Sequence, residues 1–277
     1  MSYGILINGH PKNTISAQDR GLHYGDGLFE TIAVIHGQLR HWLRHYQRLA
    51  EGCERLKLPL PEDAVLIKEA ARLSKTLERG VLKLILTRGI GGRGYRIPEA
   101  VAPLRILATY PWPDYPERFY REGIIVRICA TRFGRNPLLA GLKHLNRLEQ
   151  VMARSEWSDP AIAEGLIQDT EGAVISGTMS NVFLVQEGTL ITPDLFQCGI
   201  RGIMRGVILD AAHEIGIPSM IRSVSLDEVY TAGEAFLCNS LVGIWPIREI
   251  IGEREKRFSL GDVTGTLRET IKVDHAT

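Results

Sequence analysis

At 277 residues the chain can bury a sizeable core as one large domain or two ordinary ones, and the pattern of its elements fits two better. Its 33 basic and 32 acidic residues nearly cancel, so no global field draws in nucleic acid or an anionic membrane, and any anionic ligand must be held by local charges. Cys53, Cys129, Cys198 and Cys238 lack paired spacing, the opening MSYGILINGHPKN lacks a signal pattern, and no apolar run reaches the roughly 18 residues of a membrane span; zinc and disulfide frameworks are disfavoured, and a soluble, unprocessed cytoplasmic protein is expected.

GILIN (4–8) with the turn pair Asn8-Gly9 predicts a strand and a hairpin. Glycines at 21, 25 and 27 mark bending backbone, and FETIAVI reads as a strand ending near Gly37. From His41 to Leu58, Trp42, Leu43, Tyr46, Leu49, Cys53 and Leu56 follow a helical period that Pro59 closes, and a second helix runs from about Glu62 to Leu77. VLKLILTR (81–88) is a strand. RGIGGRGYRIP after it formally spells GxGxxG, but that dinucleotide fingerprint needs a helix to begin within the glycines, and Pro98 follows almost at once. What remains is a glycine loop with Arg88, Arg93 and Arg96, either a carboxylate grip or a solvated basic loop. PLRILATY (103–110) is a further strand and PWPDYP (111–116) a linker, which divides the chain into a smaller domain over 1–112, a linker over 113–119 and a larger domain over 120–277.

After a strand at 123–131 comes GRNPLLAGLKHLNRLEQ (134–150), where Leu142, Leu145, Leu148, Val151 and Met152 predict a helix with one buried stripe and Lys143 at its start. Desolvation beside Leu139, Ala140 and Leu142 favours a neutral, nucleophilic amine able to form a Schiff base; an ordinary snorkelling lysine fits the same residues. GLIQD, AVISG, NVFLVQ and TLITP read as short strands joined by turns at Glu171-Gly172 and Glu187-Gly188. Residues 201–216 form a helix with Ile203, Val207, Ile208, Ala211 and Ile215 on one face and Gly216 as its cap. Its start, Gly199 to Arg205, is either a phosphate cradle or a plain loop-to-helix junction. Ser225 with Glu228 fits a capping box, EAFLCNS a strand, and a last helix begins near Asp262. A Schiff-base lysine combined with a phosphate cradle points to pyridoxal phosphate. Serine and metal chemistry lack their motifs, so no metal is expected.

The segments HYGDGLFET (23–31), HYQRL (45–49), RGIGGRGY (88–95), GRNPLLAGLKHLNRLEQ, SNVF (180–183), GIMR (202–205) and CNSLVGIWPI (238–247) occur in the order found in fold-type IV pyridoxal-phosphate enzymes. Within them the chain most resembles the 4-amino-4-deoxychorismate lyases, over nearly its whole length; branched-chain and D-amino-acid aminotransferases of that fold are the alternative. The resemblance implies an α/β fold of two domains with a β-rich C-terminal one, the cofactor between them, a homodimer, and a small-molecule substrate. It implies that Lys143 carries the cofactor and moves the proton. Arg48, the amides of Ile203 and Met204 and the hydroxyl of Ser240 are implied to hold the phosphate. Thr31 is implied to protonate the leaving group, Arg93 and Arg205 to meet substrate carboxylates, and Tyr95 and His23 to line the pocket. In VISGTMSN, Ser176 occupies the position where the family places a glutamate against the pyridine nitrogen. A serine cannot hold that proton as a carboxylate does, so the cofactor becomes a weaker electron sink, and a cofactor binder with little catalysis is a third reading. Glu171 is near in sequence, but its turn position is unsuited to replace the glutamate.

Overall fold

Residues 4–271 are described by a computed structural model. β1 (Ile5–Ile7) turns back as β2 (His10–Pro11) through Asn8 and Gly9, whose φ values of 48° and 78° are the left-handed pair that a tight hairpin requires. Helix α1 (Arg20–Tyr24) starts at Asp19, whose carboxylate accepts from Gly21 N at 2.8 Å. It leads into β3 (Gly27–Ile35), β4 (Gln38–Leu39), the helices α2 (Trp42–Leu56) and α3 (Asp63–Ser74), and then β5 (Arg79–Thr87) and β6 (Leu104–Tyr110). Among the described residues these strands make one antiparallel sheet in the order β2-β1-β6-β5-β3-β4. Alternation along β3 and β5 sorts its two faces. Leu28, Ile32, Leu82, Leu84 and Leu86 pack with Leu49, Cys53, Leu66 and Ala70 of α2 and α3, while Phe29, Thr31, Lys83 and Ile85 stand half-buried on the other face. Each fully buried leucine is worth about 1.5–3 kcal/mol, so the helix-covered face carries most of the apolar stabilisation of this sheet.

The rest of the chain contributes α4 (Arg118–Arg121), β7 (Ile124–Phe133), α5 (Leu148–Arg154), β8 (Ile162–Asp169), β9 (Val174–Gly177), β10 (Asn181–Gln186) and β11 (Thr189–Pro193). There follow α6 (Ile203–Glu214), β12 (Ser219–Arg222), α7 (Leu226–Thr231), β13 (Glu234–Asn239), β14 (Gly243–Ile251), β15 (Lys256–Arg257) and α8 (Asp262–Ile271). The described strands form a second sheet in the order β12-β11-β10-β13-β14-β7-β8-β9, with β15 on β14; pairs β11–β12, β7–β14 and β7–β8 are parallel. β10 is apolar on both faces because both are covered: Val182 packs with Leu237 and Trp245, Phe183 with Met204 and Ile208 of α6 and Leu267 of α8. The capping box is present, with Ser225 and Glu228 exchanging side-chain and backbone bonds.

The chain divides into two compact units: one runs to Asp114 and also takes Leu142–Asn146, the other comprises Tyr115–Gly141 and the chain from Arg147 onward. The excursion of Leu142–Asn146 corrects the helix expected from Lys143 onward. This segment is extended and docks on β3, with Phe29 N donating to Lys143 O at 2.9 Å and Leu145 N to Gly27 O at 3.0 Å. β4 pairs only with Val34 and Ile35, so this end of β3 has an open edge for it. Helix α5 begins only at Leu148, and Leu148, Val151 and Met152 are 77, 61 and 60% exposed rather than forming a buried stripe. The spacing that reads as one helix spans two elements with different partners. Leu43 and Ile215 likewise lie on the exposed sides of their helices.

Candidate active site

Pairing with β3 places Lys143 over the half-buried face of the first sheet. Its Nζ lies 4.4 Å from the centroid of the Phe29 ring, and Lys83 Nζ lies 5.6 Å from the same ring. Thr31 follows two residues after Phe29, hence on the same face, and pairs directly with Lys83 across the β3–β5 ladder. One aromatic ring, one hydroxyl and two amines are therefore grouped on one side of a rigid sheet. Thr31 shares its sheet face with Phe29, the ring that Lys143 Nζ approaches. Lys83 was not singled out from the sequence, although a lysine inside the apolar run VLKLILT was a visible signal.

On the helix-facing side of the same strand, Glu30 is buried and accepts from Arg48 Nε at 2.9 Å and Nη2 at 2.5 Å, and from His45 Nδ1 at 2.6 Å. Burial pushes the Glu30 carboxyl up, but the charge of Arg48 and the bonds from His45 and Arg48 outweigh it and bring it down to about 2. Because the folded value lies below the ordinary 4.5, the stability this adds is full above 4.5 and lost as the pH falls toward 2. Burial, then the charges of Arg48 and Lys143, lower the basicity of His45 against the pull of Glu30.

The glycine loop is tied to α1. Arg20 Nη1 donates to Gly94 O at 3.0 Å, and Gly94 N donates to Tyr24 Oη at 3.2 Å. Gly94 lies between Arg93 and Tyr95, so these bonds fix the backbone from which both exposed side chains project. Tyr24 touches both predicted lining residues edge to face, with centroids 5.5 Å from Tyr95 and 5.8 Å from His23. His23 Nε2 is 2.6 Å from Ala17 O. Arg88, expected on the loop as part of a carboxylate grip, is instead buried: it meets Asp26 through two bonds of 2.8 and 2.9 Å and donates to Leu56 O and Lys57 O. Arg96 is exposed and paired with Glu99. Of the three loop arginines, Arg88 is buried and Arg93 and Arg96 are exposed.

In the second unit α6 begins at Gly202, which caps it in extended conformation with no side-chain hydrogen bond, so the amides of its first turn, including Ile203 and Met204, meet no capping side chain. A Cβ on Gly202 would sit 2.0 Å from Asn181 Oδ1, so a larger residue there would displace the Asn181 side chain. The loop before it is pinned to Gly141, with Gly141 N donating to Gly199 O at 2.9 Å. Ser240 is half-buried in the turn where Asn239 Oδ1 accepts from Leu241 N and Val242 N. Amides at such a helix N-terminus are the kind of group that binds a phosphate. Arg205, expected at a substrate carboxylate, points into the interior instead, donating to Thr192 Oγ1 at 3.3 Å and Pro193 O at 3.0 Å; burial first of all lowers its basicity.

Ser176 is buried and its Oγ donates to Gly177 O at 2.8 Å. Glu164, the buried carboxylate lining this corner, has both oxygens engaged: it accepts from Thr178 N at 3.1 Å, Met179 N at 3.0 Å, Ser180 Oγ at 2.8 Å and the Thr178 hydroxyl. It shapes the 177–180 loop. Glu171 is ion-paired with Arg135.

A profile of the class IV amino-transferases matches residues 27–250. The chain belongs to the class IV aminotransferase family. Among class IV relatives, the aminodeoxychorismate lyase of Vibrio harveyi is 32% identical over 95% of this chain and 97% of its own length. The crystal structure of 4-amino-4-deoxychorismate lyase from Pseudomonas aeruginosa superposes with a TM-score of 0.93 at 48% identity, covering 98% of this chain and 99% of that one. Branched-chain amino acid aminotransferase from Escherichia coli gives 0.83 at 25%, covering 97 and 92%. The fold is that of the fold-type IV enzymes.

Proposed function

We propose that the protein is a pyridoxal-phosphate-dependent lyase that converts 4-amino-4-deoxychorismate to 4-aminobenzoate, a folate precursor, and pyruvate. The observation that carries this is the grouping of Thr31 and Lys83 with Lys143 on one sheet face. A transaminase needs one mobile proton and a grip for one carboxylate. The lyase substrate brings two carboxylates and an enol ether whose methylene must be protonated as it leaves. Two cations (Lys83 and Arg93) and a hydroxyl answer those additional needs.

Lys143 would bind the cofactor aldehyde, and Arg48, the Ile203 and Met204 amides and Ser240 its phosphate. When bound, the cofactor draws electrons from the carbon attached to the substrate nitrogen. Lys143 Nζ takes the proton from that ring carbon, the ether C–O bond breaks, and the ring becomes aromatic. The Thr31 hydroxyl delivers a proton to the methylene carbon of the departing enolpyruvate, giving pyruvate. The Phe29 ring lies beside Lys143 Nζ and would help to orient that side chain.

Aminodeoxychorismate supplied to the purified protein is expected to release pyruvate, read by coupling to lactate dehydrogenase, and 4-aminobenzoate. Conversion of the bound cofactor to its amine by L- or D-amino acids at comparable rates would establish the aminotransferase instead. The hydroxyl of Ser176 favours a slow enzyme; Ser176→Glu is expected to raise pyruvate release several-fold, and an unchanged or lower rate would refute this account of the position.

The exposed face of α5 supports a homodimer in which a second copy covers Leu148, Val151 and Met152. Val151→Glu combined with Met152→Glu is expected to convert the dimer to monomer in light scattering; an unchanged mass removes α5 from the interface. Burial pushes the thiols of all four free cysteines up to about 12, which keeps them unreactive and suits a reducing cytoplasm. No described helix is long and apolar enough to cross a membrane.

A further inference from the structure

β3 turns one carboxylate, Glu30, toward α2 between the core residues Leu28 and Ile32. Such a charge is tolerated in an apolar layer only with dedicated partners, and α2 supplies two of them three residues apart on one helix face. Arg48 donates through its Nε–Nη2 edge to both oxygens of Glu30, the parallel fork that fixes a guanidinium plane. His45 braces one of these oxygens from Nδ1. Its ring is 1% exposed, and its Nε2 is buried without a hydrogen-bond partner, as fits a neutral imidazole that donates from Nδ1 only. The neutral ring supports the carboxylate without competing for its charge.

An arginine stem turns about several bonds, and a side chain that must be ordered on binding weakens the complex. The fork along one edge removes that freedom beforehand and sets the direction of the opposite Nη1. We propose that Glu30, braced by His45, is a positioning residue that presents Arg48 to the cofactor phosphate. This rests on the reading of Arg48 as a phosphate ligand. Glu30 also offsets part of the arginine's charge, an effect of opposite sign on phosphate binding, so the two roles are separable by experiment.

The test uses Glu30→Gln, close in shape but uncharged, in the full chain stripped of cofactor. Titrations followed by absorbance measure the Kd of pyridoxal phosphate and of pyridoxal, which has the same aldehyde and no phosphate. The expected result is at least a tenfold weaker Kd for pyridoxal phosphate with that for pyridoxal within twofold of wild type, and no further loss when Arg48→Lys is added. Equal weakening of both ligands shows a general structural role, and tighter pyridoxal phosphate shows charge balancing; either overturns the proposal. If Glu30→Gln fails to fold, Glu30→Asp is measured in the same way, with the same selective loss expected. A wild-type chain that takes up neither ligand overturns the cofactor reading and the clamp with it, whereas normal wild-type uptake with an unselective variant overturns the clamp alone.

Discussion

Lys143→Ala is expected to abolish covalent capture of pyridoxal phosphate and to lower pyruvate release by about 10³-fold or more, since it removes both the nucleophile and the proton carrier. The fold should survive. Lys143 is held through its backbone, by the 2.9 Å bond from Phe29 N, and Leu145 N bonds to Gly27 O; alanine keeps both. The variant also loses the contact of Nζ with the Phe29 ring, a cation–π interaction of about 0.5–2 kcal/mol. The decisive measurement is borohydride reduction followed by peptide mass mapping. Wild type should carry the label on Lys143 and the variant none. A label on Lys83, the other amine beside the same ring, would assign the roles the other way round.

Thr31→Val should lower pyruvate release about 10²-fold while cofactor uptake stays as in wild type, because valine keeps the shape and loses only the proton donor; positioned acids typically contribute 10²–10⁴. Thr31→Ser should retain most of the rate. Thr31 and Lys83 face each other directly across the β3–β5 ladder, so a double variant, Thr31→Val with Lys83→Met, tests whether the lysine compensates. Full activity in the valine variant would assign the protonation to another group and remove the strongest argument for lyase over transaminase chemistry.

Features set by near neighbours in sequence were legible before the structure. Asn8-Gly9 announces its hairpin, Ser225 and Glu228 their capping box, and Gly216 the end of α6, where it takes a φ of 75°. Features set by distant partners were not. Arg88 reads as a loop cation until Asp26 and the carbonyls at the end of α2 are seen to claim it, and Arg205 until β11 does. Glu30 sits in plain view within GLFET, but its meaning depends on α2 folding back over β3. The Lys143 stretch shows the same limit. Its residue types pointed to chemistry, while its apolar spacing pointed to a helix, because the docking of Leu142–Asn146 is decided by an edge of β3 formed far earlier in the chain.

That docking affects how the gene can be divided. A fragment ending at Asp114 would retain every strand of the first sheet yet leave Gly27 O and Phe29 N unpaired along a bare edge, the arrangement through which sheets recruit foreign strands. Soluble expression of the first unit alone therefore requires Leu142–Asn146 to be supplied with it, for instance by grafting the segment after residue 114 through a flexible tether. The lysine-bearing segment thus also seals that edge, so excising it for study removes its protective cover as well as the reactive amine.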